Sequence, residues 1–168
     1  MAEDNVRRMR RGEEEQVLAC LDRSGLLGRA GDDMIEDMLH GPSSRVFVWV
    51  DETGIRGAMA FKEFGTCRLV YLLCVDKPRR REGIATDLVD LLKKITRGHA
   101  RRNQIVSFVS ERDLNMHLFY RAVGISADSI ETLPDGSTSY RFVWHGGLDL
   151  PFARAKWRYQ QTKRARAK

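Results

Sequence analysis

Apolar residues recur at helical spacing in four stretches of the chain. These stretches are 14–23, 32–39, 84–95 and 114–123. The clearest apolar face consists of Ile84, Leu88, Leu91, Leu92 and Ile95. Three or four residues per repeat is the period of an amphipathic helix, so we predict a helix in each stretch. Asp32 and Asp113 are placed to cap the second and fourth helices, and Gly98 is placed to end the third.

Between these stretches, apolar and aromatic residues follow the period of β-strands. The predicted strands are 5–10, 45–51, 55–62, 68–75, 104–109, 125–133 and 137–144. Over residues 55–62, mostly large apolar side chains alternate with small or basic side chains, which predicts a half-buried strand. Residues 68–75 are apolar at nearly every position, which predicts a central strand covered on both faces. The order β-α-α-β-β-β-α-β-α-β-β predicts an α+β fold around one mixed sheet.

Length and charge divide the chain into a body and a tail. The 168 residues are 42% hydrophobic and 31% charged, which is typical of one globular domain. Residues 151–168 contain seven Lys and Arg and no acidic residue, so removing them from the net charge of +6 leaves −1 for residues 1–150. We therefore predict a domain over 1–150 and a basic tail or helix over 151–168.

Several classes of protein are disfavoured by composition. The longest apolar run, 69–75, is too short to cross a bilayer, and the first residues lack the apolar core of a secretory signal. The three cysteines and four histidines show no metal-ligand spacing. We expect no metal, a cytoplasmic setting with reduced cysteines, and an inert buried thiol at Cys74.

The segment 72–86 contains the most informative chemistry. An apolar strand ends, a basic turn follows, and a helix begins at Gly83. Unpaired N–H groups and the helix dipole attract phosphate at such a helix start, and Gly83 and Ala85 allow close approach. The spacing matches neither the NTPase P-loop nor the dinucleotide fingerprint. A pyrophosphate site is predicted, and an ordinary basic loop before a helix is the alternative.

Two segments resemble one enzyme superfamily. Arg80-Arg81-Glu82-Gly83-Ile84-Ala85 resembles the Arg/Gln-x-x-Gly-x-Gly/Ala signature of the GNAT superfamily of acetyl-CoA-dependent N-acetyltransferases. Residues 118–125 resemble the x-Leu-Tyr-x-x-x-Gly-Phe segment of that family, with Phe119 for Leu and Ile125 for Phe. The chain looks most similar to the ribosomal-protein alanine N-acetyltransferases.

The resemblance implies acetyl-CoA as acyl donor, held between two splayed parallel strands, here 69–75 and 104–109. Backbone groups would hold the pantetheine arm and the pyrophosphate. Many relatives have an Asn where Asp113 stands, and Asn115 follows two residues later. The cofactor-binding residues implied are Leu73, Cys74, Val75, Arg80, Arg81, Glu82, Gly83, Ile84, Ala85, Thr86, Asp113 and Asn115.

The resemblance also implies that Tyr120 is the general acid that protonates the departing thiolate; a core aromatic is the alternative. The glutamate that acts as general base in the alanine N-acetyltransferases falls on Phe108, which cannot accept a proton. Glu63, Asp76 and Glu111 are therefore candidate bases, acting directly or through water. A free α-amine, with a pKa near 8, needs no strong base.

The acceptor stays open at this point. A protein N-terminus or lysine is the leading interpretation, and a small amine or a non-catalytic acetyl-CoA sensor are alternatives. Loops 24–31 and 133–137 would frame the acceptor. The tail interleaves Phe152, Trp157 and Tyr159 with basic residues, which suits nucleic acid or the ribosome, an acidic or membrane surface, or a solvated extension. The sequence leaves the oligomeric state open, and a homodimer is one of the alternatives.

Overall fold

A computed structural model describes residues 5–97, 99, 101–132 and 135–146. The predicted helix stop at Gly98, part of the 133–137 loop and the basic tail lie outside these residues. The strands are β1 Val6–Arg8, β2 Ser44–Asp51, β3 Gly54–Phe64, β4 Cys67–Val75, β5 Gln104–Ser110, β6 Ser126–Thr132 and β7 Thr138–His145. The helices are α1 Glu14–Ser24, α2 Asp32–His40, α3 Ile84–Arg97 and α4 Leu114–Ala122, with 3₁₀ turns at Leu27–Arg29 and Lys77–Arg79.

The strands form one seven-stranded sheet in the order β1-β2-β3-β4-β5-β7-β6. Neighbouring strands are antiparallel except β4 and β5, which are parallel. The predicted element order and the mixed sheet are confirmed. A parallel pair requires a crossover connection, and α3 supplies it between β4 and β5.

Helices cover both faces of the sheet's centre. One core contains Val17 and Leu21 of α1 packed over β2, β3 and β4, and the other contains Leu88 and Leu92 of α3. The prediction that β3 is half-buried is wrong, because Ala58 and Ala60 are fully buried beneath α1 and α2. Alanine is small enough to let a helix approach on that second face, and its weak hydrophobicity hides the burial in the sequence.

The two predicted helix caps have different outcomes. Asp113 caps α4, because its carboxylate accepts a hydrogen bond from the Met116 N–H at 3.1 Å. Asp32 is wrong as a cap, because it is the first helical residue of α2 and Gly31 occupies the N-cap. Asp32 instead lies in the first turn beside Asp33, where carboxylates favour the positive end of the helix dipole.

β4 and β5 separate halfway along their length. They pair from Cys67 opposite Gln104 to Val70 opposite Ser107, and no further. On the other edge of β4, Phe61 pairs with Val70 and Ala60 with Leu72, so Tyr71 is an extra residue that forms a β-bulge. A bulge bends and twists its strand. Beyond it β4 continues along β3 while β5 continues along β7, which confirms the predicted splay.

Candidate active site

A cleft of about 140 Å³ opens where the two strands separate. Its lining comes from β4, β5, and helix α4 with its N-cap residue. The lining residues are Val70, Tyr71, Leu72, Leu73, Ser107, Phe108, Val109, Ser110, Asp113, Met116 and Tyr120. The cleft therefore brings Leu73, Asp113 and Tyr120 together, three residues that the sequence assigned to one site.

The open edge of β4 presents backbone groups to this cleft. The Asp76 N–H donates to the Arg56 carbonyl at 2.9 Å, so the peptide groups of Asp76 point toward β3. Peptide groups of successive strand residues point to opposite edges, so those of Cys74 also face β3, whereas those of Leu73 and Val75 face the open edge of β4. The Cys74 side chain is 3% exposed, which confirms a buried thiol, and its Sγ lies 4.0 Å from that of Cys20.

The loop between β4 and α3 has unpaired amides. Arg81 and Gly83 both adopt the left-handed region, with φ of 72° and 88°. The first helical bond is donated by the Asp87 N–H to the Gly83 carbonyl. The N–H groups of residues 81–86 have no acceptor within the described part of the chain. They constitute a set of donors at a helix N-terminus, which suits a phosphate group.

The charged side chains of this loop bind the protein itself. Arg79 donates to Asp51 at 2.7 Å and to Glu82 at 2.6 Å. Arg80 donates to the carbonyl of Ser24, the last residue of α1, at 2.8 Å and to the carbonyl of Val75 at 3.5 Å. Arg81 is exposed. These contacts fix the path of the loop and leave its backbone amides free to bind an anion.

A buried carboxylate anchors the far end of β4. Asp76 is 2% exposed, and its Oδ2 accepts from Arg23 Nε at 2.8 Å and from Arg56 Nη1 at 3.1 Å. These bonds join α1, β3 and the end of β4. Asp76 is thus engaged by two guanidinium groups and does not line the cleft.

The other two candidate bases also lie outside the cleft lining. The Glu63 carboxylate lies 3.6 Å from Arg68 Nη2 and 3.7 Å from Arg102 Nη1. It is located toward the end of β4 that is paired with β5. Glu111 is exposed and follows β5. Phe108 lines the cleft, where it is 41% exposed. Asp113 is the one carboxylate in the described lining, and it caps α4.

Tyr120 reaches the cleft from the last turns of α4. It is 1% exposed, and its ring packs 5.3 Å from that of Phe142, centroid to centroid. Its hydroxyl donates to Ser107 Oγ at 3.0 Å. Burial raises the pKa of Tyr120 to about 12, against the opposing effect of the Ser107 hydrogen bond. The phenol therefore keeps its proton at neutral pH and is a hydrogen-bond donor.

Two cleft residues were missed by the sequence reasoning. Tyr71 forms the bulge, and nothing in an almost wholly apolar strand marks an inserted residue. Ser107 is a polar residue among Ile105, Val106, Phe108 and Val109, which is a signal that could have been used. Asn115, which the sequence did assign to the cofactor site, is exposed in the first turn of α4.

The comparison with family models identifies the class of protein. Residues 15–125 match the model of the acetyltransferase (GNAT) family. The match spans more than half of the chain, so the chain belongs to this family and is an N-acetyltransferase, one of the acyltransferases. No curated protein matches the sequence. No helix among the described residues is long and apolar enough to span a membrane.

Solved structures share the fold at low sequence identity. The ribosomal-protein-S18-alanine N-acetyltransferase from Escherichia coli has a TM-score of 0.72 at 10% identity, covering 87% of this chain and 96% of that one. An aminoglycoside 6'-N-acetyltransferase complexed with coenzyme A has a TM-score of 0.66 at 19% identity, covering 84% and 96%. Arabidopsis thaliana NAA60 with a bisubstrate analogue has a TM-score of 0.68 at 15% identity, covering 83% and 96%.

Proposed function

We propose that this chain transfers the acetyl group of acetyl-CoA to the free α-amine of a protein or peptide, with Tyr120 as general acid. The observation that carries the proposal is the end of β4–β5 pairing at Val70 and Ser107. That end places an unpaired peptide edge and a buried phenol in one cleft, directly before a loop of unpaired amides. A protein lysine is the nearest variant of the same acceptor.

Acetyl-CoA fits the free backbone groups of this region. Its pyrophosphate matches the N–H groups of residues 81–86 at the start of α3. Its pantetheine arm contains amides that can pair with the peptide groups of Leu73 and with the N–H of Val75 on the open edge, as an added strand would. These contacts use the backbone, so side-chain identity matters mainly at Gly83, where the φ of 88° disfavours other residues.

The chemistry then needs a proton donor at the sulfur. The amine nitrogen attacks the thioester carbon, the C–S bond breaks, and the electron pair leaves on sulfur. The Tyr120 hydroxyl gives its proton to that thiolate. The nitrogen loses its extra proton to water, and the phenolate regains a proton from solvent. The products are an amide and free coenzyme A.

The carboxylates near the cleft argue for a weakly basic amine. Asp113, the one carboxylate in the described lining, is committed to the α4 cap, so water is the acceptor of the amine's proton. An α-amine has a pKa near 8 and a lysine about 10.4. At neutral pH the α-amine is therefore neutral far more often, which is why we place a protein N-terminus first.

A small cationic amine is the second candidate, and the surface of α2 favours it. Asp33, Glu36, Asp37 and His40 line a second cavity of about 270 Å³. Asp37 pairs with Lys62 at 2.7 Å, and the Lys62 ammonium lies 5.7 Å from the ring centre of Tyr71, a residue of the cleft lining. An acidic surface this close to the cleft would attract a polyamine or an aminoglycoside.

The first experiment is a calorimetric titration of acetyl-CoA into the wild type, Gly83→Trp and Gly12→Trp. Gly12 has the same φ of 88° and the same open surroundings as Gly83, but lies before α1. We expect binding to be lost in Gly83→Trp and kept in Gly12→Trp. Absence of binding by the folded wild type would contradict the proposal.

A panel of acceptors then separates the candidates. It contains a peptide with a free N-terminus, the same peptide blocked at its N-terminus but carrying a lysine, and spermidine. Preference for the free N-terminus supports the proposal, and preference for spermidine supports the small-amine candidate. Binding of acetyl-CoA without turnover of any acceptor would favour a sensor.

A further inference from the structure

A hydroxyl lies at the vertex of the cleft, among apolar residues of β5. Ser107 is 6% exposed on a strand whose neighbouring residues are apolar. Its Oγ accepts a hydrogen bond from the Tyr120 hydroxyl at 3.0 Å and donates one to the Val70 carbonyl at 3.0 Å. Val70 and Ser107 are also the last residues that pair between β4 and β5. The three groups form a chain that ends on the sheet backbone.

This chain determines where the phenol oxygen lies. The Val70 carbonyl belongs to a rigid peptide group of the sheet, so it fixes the direction of the Ser107 hydroxyl. The Ser107 hydroxyl in turn is the partner of the Tyr120 hydroxyl, which is only 1% exposed. Without that partner a buried hydroxyl would have to be desolvated with no bond in return, and it would turn to another position.

The proton transfer from Tyr120 to the thiolate gives the Ser107 hydroxyl a second role. A phenol with a pKa of about 12 is a weaker acid than a thiol, whose pKa is about 8.5, so the proton transfer from Tyr120 to sulfur is uphill. Any group that stabilises the phenolate reduces this cost. Ser107 is such a group, since a hydrogen bond donated by its O–H to the phenolate oxygen lowers the pKa of Tyr120.

We infer that Ser107 is a positioning residue that acts through Tyr120. Before the reaction it accepts the phenol proton and holds the oxygen at the vertex. When Tyr120 gives its proton to the thiolate, the Ser107 O–H turns from the Val70 carbonyl to the phenolate oxygen and donates to it. Ser107 keeps its own proton throughout. This inference rests on the proposed function of Tyr120 as general acid.

The test is a double-mutant cycle on the full chain, with the best acceptor of the panel. We expect Ser107→Ala to lower kcat about tenfold, the effect of one hydrogen bond, with the acetyl-CoA Kd unchanged within about twofold. Ser107→Thr, which restores a hydroxyl, should recover most of the loss. Thr96→Val removes a buried hydroxyl of α3 that bonds to Leu92 and Arg68 outside the cleft lining, and should leave kcat unchanged.

The decisive arm is the Tyr120→Phe background. If Ser107 acts through Tyr120, then Ser107→Ala has no further effect on kcat there. An equal loss in both backgrounds, or no loss in the first, overturns the inference. If Tyr120→Phe alone keeps full activity, it is the proposed general acid that fails, and the two failures are therefore distinguishable.

A spectroscopic readout keeps the inference testable should Ser107→Ala fold poorly. Ser107→Cys changes one atom of the side chain and replaces the hydroxyl by a weaker donor. The tyrosinate absorbance of each protein, minus that of its Tyr120→Phe counterpart, reports the ionisation of Tyr120. We expect Ser107→Cys to raise the pKa of Tyr120, and an unchanged pKa would overturn the inference.

Discussion

The lower half of β4, residues 67–70, has a strand on both edges, whereas the upper half, residues 71–75, has β3 alone. Both halves are mostly apolar: Val70 of the lower half packs in the core beneath α3, and Leu72 and Cys74 of the upper half pack in the core beneath α1. The difference lies in one inserted residue, Tyr71, which follows the last β4–β5 pair. A single bulge thus converts a structural strand into one with a free edge.

The two halves are also held by different interactions. Hydrogen bonds from both neighbours hold the lower half, as in any central strand. The upper half is held by β3, by side chains in the cores, and by the Asp76 clamp at its end, which joins Arg23 and Arg56. A strand can therefore leave peptide groups free for a ligand when other contacts fix its position.

The largest expected effect concerns Tyr120, which is joined through Ser107 to the last pair of the lower half. We predict that Tyr120→Phe lowers kcat by about 100-fold or more, the usual contribution of a general acid. The acetyl-CoA Kd should change less than about twofold, because the loop and the β4 edge are untouched. Steady-state kinetics and calorimetry measure the two values. A kcat within threefold of the wild type would exclude Tyr120 as the acid.

The second effect concerns the clamp of the upper half. Asp76→Ala leaves two guanidinium groups without their buried partner, so we predict a loss of about 2–3 kcal/mol in the free energy of unfolding. We also expect weaker binding of acetyl-CoA, since the free edge loses its anchor. Asp128→Ala is the control, because its pair with Arg141 is partly exposed and should contribute at most about 1 kcal/mol. Equal losses in the two variants, measured by denaturant unfolding, would refute the clamp.

The third effect concerns the pH dependence of the free energy of unfolding, to which the buried Tyr120 phenol contributes and the open edge of β4 does not. The folded pKa of Tyr120 is about 12, above the unfolded value of about 10, so its contribution to stability is complete below pH 10 and declines as pH rises toward 12. We predict that between pH 9 and 11 the wild type loses about 1 kcal/mol more unfolding free energy than Tyr120→Phe does. Parallel pH curves for the two proteins would show that the phenol is not buried in this way.

The smallest effect distinguishes neighbouring leucines of the upper half. Replacing Leu73 by its α-hydroxy acid removes a cleft-facing N–H, and the same change at Leu72 removes one that faces β3. We predict an acetyl-CoA Kd raised up to about tenfold for Leu73 and unchanged for Leu72, with the loss of unfolding free energy larger for Leu72. The reverse pattern would mean that the edge assignment is inverted.

The sequence predicted the parts of the site that depend on local pattern. The helical period of 84–95 after a basic turn located the loop, and Tyr120 followed from its resemblance to a family motif. Asp113 was predicted as a cap because an N-cap hydrogen bond joins residues only three positions apart in the sequence. These features need no knowledge of distant contacts.

The missed features all depend on contacts between distant segments. Tyr71 is an insertion only relative to its partners in β3, and a strand that is apolar throughout gives no register. Ser107 reads as an ordinary polar residue until Tyr120 and Val70 are placed beside it. The sequence pattern places Ala58 and Ala60 on an open face, because it does not show that α1 and α2 pack on that face. In each case the physical cause lies in tertiary packing.

The central claim is that the free edge of β4 binds acetyl-CoA through alternate peptide groups. Amide hydrogen exchange, resolved by residue and measured with and without saturating acetyl-CoA, tests it most directly. We expect acetyl-CoA to slow exchange at Leu73 and Val75 and to leave exchange at Leu72 and Cys74, which face β3, unchanged. Unchanged exchange at Leu73 and Val75 under saturation would contradict it.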